Sequence, residues 1–143
     1  MTADEIIRKL DLQPHPEGGY YRQTWVEDVA EGERAAGTSI YFLLKEGEAS
    51  HWHRVTDAAE IWHYYAGAPL ILSLAANDEG PATEHVLGPD LAAGQEPQLI
   101  VPANHWQAAR TTGAYTLVGC TVSPGFLFDK FVLAAPGFDI PKA

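Results

Sequence analysis

Two histidines one residue apart, His51 and His53, are the chain's first candidates for chemistry. On a β-strand the side-chain period is two, so both imidazoles of His51-Trp52-His53 point to one face. That spacing offers two nitrogen ligands to one metal ion. On a helix the pair would diverge by about 200°, which suits no common site. Glu60 opens the next run, Glu60-Ile61-Trp62-His63-Tyr64-Tyr65, and adds a carboxylate from an adjacent segment. Two imidazoles and a carboxylate suit Fe, Mn, Ni, Zn or Cu about equally, so the set implies a divalent first-row metal without choosing it. A second stretch, Val101-Pro102-Ala103-Asn104-His105-Trp106-Gln107, turns at Asn104 into a strand. Alternation there puts His105 and Gln107 on one face. Either one supplies a fourth ligand or a polar contact to a small molecule.

Further residues gather round this centre. Trp62 and Tyr64 share the face of Glu60 and line the interior, either as packed core or as a stacking surface for a ligand. His63 falls on the opposite face, which reads as structural or interfacial. In His15-Pro16-Glu17-Gly18-Gly19-Tyr20-Tyr21-Arg22 the two glycines supply a turn that needs positive φ. Tyr20 and Arg22 then share a face. Arg22 either clamps a ligand carboxylate or phosphate or pairs with Glu17. Cys120 is the one cysteine, so no internal disulfide forms, and its apolar surroundings read as core.

These residues need a β scaffold. Only the N-terminus reads as helix, over residues 1–12. Thr2-Ala3-Asp4-Glu5 fits a capping box, Ile6, Ile7 and Leu10 form an apolar stripe, and Pro14 and Pro16 bar continuation. From Tyr20 onward ten short runs rich in β-branched and aromatic residues alternate with Gly, Pro, Asn and Asp turns. They are 20–26, 38–44, 50–55, 60–65, 70–75, 83–87, 98–101, 106–110, 114–122 and 126–133. Strands at this spacing without intervening helices make an all-β sandwich or barrel, here over residues 20–133. The 143 residues form one domain, 1–143. Nine Lys and Arg against 19 Asp and Glu give a net charge of −10, which argues against nucleic acid and against an anionic membrane surface. No signal peptide or apolar span is present, so a cytoplasmic protein is expected.

The two candidate stretches resemble the two motifs of the cupin superfamily. The first reads Gly47, His51-Trp52-His53, Glu60 and Gly67; the second reads Gly94 and then Pro102-Ala103-Asn104-His105-Trp106-Gln107. The chain is similar, more narrowly, to a small bacterial and fungal cupin subfamily long carried as a domain of unknown function. The carrying blocks are His15 to Arg22, His53-Arg54, Glu60 to Gly67, Val101 to Asn104 and Pro124-Gly125-Phe126. Two departures stand out. Six residues, Arg54 to Ala59, separate His53 from Glu60, more than the motif usually has. The metal-binding histidine of the second motif aligns with Gln107, a poorer ligand.

The resemblance implies a double-stranded β-helix, a jelly-roll barrel with a short N-terminal helix and a ligand in its mouth. It implies a metal held by His51, His53, Glu60 and Gln107 or His105, in an enzyme acting on a small polar metabolite. A metal-free alternative resembles the cupin sugar-nucleotide epimerases. There His53 is the base and Tyr20, Tyr64 or Tyr115 the acid, with Tyr20, Arg22, Trp62 and Gln107 binding the ligand. A non-catalytic ligand-binding cupin is the third reading. Cupins commonly dimerise, so a homodimer burying part of Trp25, Ile61 and Tyr65 is expected.

Overall fold

The structure is a computed structural model that describes residues 1–142. Helix α1 (Ala3–Leu10) begins with the expected capping box: Thr2 Oγ1 accepts from Glu5 N–H, and Glu5 accepts from Thr2 N–H. It ends earlier than the prolines require. Asp11 turns into the left-handed region at φ 56° and its N–H reaches the Ile7 and Arg8 carbonyls, an αL stop that Asp tolerates.

Eleven strands follow: β1 (Gln13–Pro14), β2 (Tyr20–Val26), β3 (Thr38–Lys45), β4 (Ala49–Val55), β5 (Ala59–Gly67), β6 (Leu70–Ala75), β7 (Thr83–Leu87), β8 (Gln98–Val101), β9 (Trp106–Thr111), β10 (Tyr115–Ser123) and β11 (Phe131–Leu133). They form two antiparallel sheets, ordered β1-β2-β3-β10-β5-β8 and β11-β4-β9-β6-β7. This is the expected jelly-roll barrel. Two expectations change. The two-residue β1 was not foreseen. The run 126–133 is mostly irregular, with a 3-10 turn at Phe128–Lys130 before β11.

Alternation decides what each sheet buries. On β3, Ile40, Phe42 and Leu44 face inward; on β10, Val118, Cys120 and Val122 do. Cross-strand partners align them in rows. Glu60, Val122 and Thr38 form one row; Trp62, Cys120, Ile40 and Gln23 the next; Tyr64, Val118, Phe42 and Tyr21 the third. Beyond the third row the barrel is filled: Leu44, Leu70, Leu72 and Leu87 are all 0% exposed. The first two rows leave space.

The outer faces are treated differently. Helix α1 and the residues just after it cover part of the six-stranded sheet, packing Ile6 and Leu12 on Leu43. Residues 134–142 run over the five-stranded sheet, where Ile140 and Phe138 pack on Trp52 and Trp106. The rest of the six-stranded sheet's outer face is open: Trp25, Tyr65 and Ile100 are 52%, 50% and 59% exposed. No helix among the described residues is long and apolar enough to cross a membrane.

Candidate functional site

The connection between β1 and β2 carries two site residues. His15 N–H donates to the Gly19 carbonyl at 2.9 Å and Gly18 N–H to the His15 carbonyl at 3.0 Å. Gly18 and Gly19 adopt φ of 109° and 77°, where an L side chain is strained. A Cβ on Gly18 would also run into the Ala49 carbonyl. The turn is fastened to β4, since His51 N–H donates to the Glu17 carbonyl at 2.8 Å. It buries His15 and Glu17 inside the barrel wall, each only 9% exposed.

Glu17 meets β4 at Ser50 and His53. Ser50 Oγ donates to Glu17 Oε2, and His53 Nε2 lies 3.4 Å from the same oxygen. His53 Nδ1 is 2.8 Å from the His51 carbonyl oxygen. A carbonyl only accepts, so the ring proton belongs on Nδ1 and the lone pair on Nε2. Burial pushes the Glu17 carboxyl up to about 8, against the Ser50 hydrogen bond. Burial also pushes the His53 imidazole down. Both groups move toward their uncharged forms. The contact is therefore one between neutral groups, not an ion pair. His15 Nδ1 accepts from Glu17 N–H at 3.1 Å, so its proton sits on Nε2 and its 3.4 Å approach to Glu17 Oε1 is no ion pair either. Burial, with His53 nearby, holds the His15 imidazole down at about 4.

Glu60 is placed by a relay. Trp62 Nε1 donates to Gln107 Oε1 at 2.8 Å, and Gln107 Nε2 donates to Glu60 Oε1 at 2.8 Å. The indole only donates, which fixes the orientation of the amide. Burial lifts the Glu60 carboxyl to about 7, against the pull of His53. The adjacent Cys120 thiol is pushed well up, by burial first and then by Glu60 and Glu17.

These groups line one cavity of about 140 Å³. His15, Glu17, His53, Glu60 and Cys120 line it with titratable groups; Ile40, Val55, Val122, Phe126, Phe128 and Phe131 line it with apolar side chains. The three phenylalanines pack edge to face, with centroids 4.9, 5.8 and 6.1 Å apart. Phe128 and Gln23 are exposed and mark the mouth.

A match to the cupin superfamily family of unknown function DUF985 covers residues 4–134. The chain belongs to this cupin family. It is similar to a protein from Shewanella oneidensis, 42% identical, TM-score 0.87, with 94% of this chain and 85% of that one covered. A hypothetical protein from Leishmania major is 32% identical, TM-score 0.83, with 96% and 90% covered. An oxalate decarboxylase from Bacillus subtilis shares only the fold, at 15% identity and TM-score 0.63, with 87% of this chain and 30% of that one covered. No protein of curated function matches.

This cupin does not assemble the expected ligand set. The register of β4 against β9 runs Ala49 to Arg110, Ser50 to Ala109, then His53 to Gln107. Three residues on β4 thus span two on β9, which is a β-bulge. Ser50 and His53 both face inward, and His51 is turned out. Its Nε2 lies 2.9 Å from the Ala135 carbonyl oxygen, under the C-terminal segment. The expectation that the two imidazoles share a face is corrected by that one extra residue. Gln107 does face Glu60, but its oxygen is engaged by Trp62 and its nitrogen by Glu60. His105 sits at the turn, with Nδ1 3.4 Å from the Ala103 carbonyl oxygen and away from the cavity. Among the described residues no three His, Cys, Asp or Glu side chains are arranged to hold a metal ion. The residues present do not fit the metal that the fold family implies.

The expected ligand-binding residues are also relocated. On β2 it is Tyr21 and Gln23 that line the cavity of this cupin. Tyr20 pairs with the outward Leu43 and packs in the cluster under α1. Arg22 Nε donates to the Leu10 carbonyl at 2.6 Å, capping the helix, and its guanidinium lies 5.5 Å from the Tyr41 ring centroid. Arg22 therefore neither reaches the cavity nor pairs with Glu17. Trp62 faces inward but is 1% exposed core, and acts by holding Gln107. Tyr64 donates from Oη to the Gly67 carbonyl at 2.6 Å. Tyr115 joins the cluster under α1. None of the three expected tyrosine acids lines the cavity. His15 and Glu17 were missed as site residues because they lie in a turn, where strand periodicity has no meaning. The available signal was a titratable pair directly ahead of Gly18-Gly19.

Proposed function

We propose that this cupin binds a small molecule in its barrel and moves a proton on it. Glu60 is the base, and the Glu17–His53 pair is the proton donor. The observation that carries this reading is the juxtaposition of Glu17, His53 and Glu60 on one cavity with no Lys or Arg among its lining residues. A carboxyl lifted to about 7 is matched to accept a proton near neutral pH. In the step, a carbon–hydrogen bond of the substrate breaks and its proton passes to Glu60. The electron pair moves into the adjoining unsaturated group, and the Glu17–His53 pair returns a proton to a different atom or face. Protons and electrons balance, so the reaction class is an isomerisation or epimerisation.

The test is incubation of the purified protein in deuterium oxide with a panel of small enolisable compounds, read by mass spectrometry. Deuterium should enter at least one of them, and Glu17→Gln should stop it. No incorporation above buffer, or incorporation that Glu17→Gln leaves unchanged, overturns the reading.

The open outer face of the six-stranded sheet supports a homodimer. Cross-strand partners place Trp25, Ser39, Thr121, Ile61 and Ile100 in one row across that face. Light scattering should return twice the mass of one chain, and a monomer mass at micromolar concentration rejects the assembly.

A further inference from the structure

The lining of the cavity says what kind of molecule it admits, a question that rests on the proton-transfer reading of the same site. An anion is disfavoured first. No Lys or Arg lines the cavity, Arg22 is spent on the end of α1, and the chain carries a net charge of −10. A desolvated carboxylate or phosphate would meet two carboxyl groups and no cation, a costly arrangement.

The second constraint is a free donor. His15 is 9% exposed, its side chain only 5%. Its Nδ1 is taken by the Glu17 N–H, so its proton lies on Nε2. No oxygen or nitrogen of the described residues accepts that proton. An imidazole N–H that opens on the cavity with no acceptor from the protein is a position a ligand oxygen can fill. A cationic ligand would bring another donor to the same place and leave the N–H unmatched.

The third constraint is size and surface. Cavities of this volume hold a molecule of about six to nine heavy atoms. Phe126, Phe128, Phe131 and Val122 offer its body apolar contact.

We infer that the cavity takes a small uncharged carbonyl compound, with its oxygen accepting from His15 Nε2–H and its apolar body against the phenylalanines. A neutral imidazole that donates to a carbonyl oxygen also stabilises the charge developing there when the neighbouring carbon loses a proton.

Three probes sharing one ring separate the classes: cyclohexanone, cyclohexanecarboxylate and cyclohexylamine. Binding is followed by calorimetry and by the His15 Nε2–H resonance in the wild-type protein. Cyclohexanone should bind saturably and move that resonance, and His15→Phe should weaken it about tenfold or more. Equal or tighter binding of the carboxylate or the amine overturns the inference, as does saturable binding of none of the three. So does cyclohexanone binding that leaves the His15 resonance unmoved in the wild type, a readout independent of how His15→Phe folds. Cyclohexanone that binds through His15 but exchanges no deuterium sustains the ligand class and rejects the proton-transfer reading. Deuterium entering only a charged compound does the reverse.

Discussion

Glu17→Gln is expected to resist urea better than the wild-type chain at about pH 9 and to match it at about pH 5. The Glu17 carboxyl is lifted by burial to about 8 from its ordinary value of 4.5. Below the lower value it is protonated folded or unfolded, and folding carries no charge penalty. Between the two, the unfolded chain releases a proton that the folded chain keeps. Each unit of pH then costs the folded state ~1.4 kcal/mol. Above about 8 the loss is complete, on the order of 5 kcal/mol for this one group. Glutamine with its oxygen in the Oε2 position still accepts from the Ser50 hydroxyl, while having no proton to lose. Glu60, lifted to about 7, adds a loss of the same sign in both proteins.

The imidazoles act on the other side. His15 and His53 are held below the usual 6.5, so stability present above that value is lost as pH falls through it toward 4. Between about 4.5 and 6.5 the gain from the two imidazoles and the loss from the two carboxyls offset each other, so wild-type stability is level there and falls on either side. Because the histidines are common to both proteins, the comparison of wild type with Glu17→Gln isolates the carboxyl. Equal losses from about pH 5 to about pH 9 in the two proteins would mean that Glu17 is not desolvated as described.

The scaffold was legible in the sequence because it depends on patterns many residues long. A barrel strand such as β3 or β10 has one inward face, and a one-residue slip would expose Phe42 or Val118. Nine of the strands accordingly lie where alternation and turn chemistry put them. The site depends on two local departures from that pattern. One extra residue in β4 separates His51 from His53, and nothing in Ser50-His51-Trp52-His53 announces it. Trp52 is apolar and is buried, as an inward residue should be, but it is buried on the outer face by Ile140 and Phe138. That covering comes from residues 134–142, nearly ninety positions away, so local periodicity could not distinguish the two faces. The Gly18-Gly19 turn is the other departure. The need for positive φ was readable, but its consequence, the insertion of Glu17 beside Ser50, is a long-range contact. Arg22 shows the same limit from the opposite side. Its charge suggested a ligand clamp, while its position beside the end of α1 makes it a helix cap.

Replacing His53 and replacing His51 should have opposite outcomes, although only Trp52 lies between the two residues. His53 is 2% exposed, lies 3.4 Å from Glu17 Oε2 and lines the cavity. Removing a proton-transfer group of this kind costs about 100-fold or more in rate, so His53→Ala and the better-filled His53→Gln should both reduce deuterium incorporation by that factor. His51 has its Nε2 against the Ala135 carbonyl oxygen, outside the barrel wall. His51→Ala removes that hydrogen bond, worth about 1 kcal/mol, and leaves the rate and its pH profile as they were. A metal-centred site built on both imidazoles predicts instead that the two substitutions are equally damaging, because each removes one ligand of the same ion. The rate of His51→Ala thus decides between the bulged and the regular strand, and with it between proton transfer by a buried carboxyl–imidazole pair and chemistry on a His51–His53 metal centre. Loss of activity in His51→Ala with unfolding unchanged would return both histidines to one face and withdraw the proton-transfer proposal.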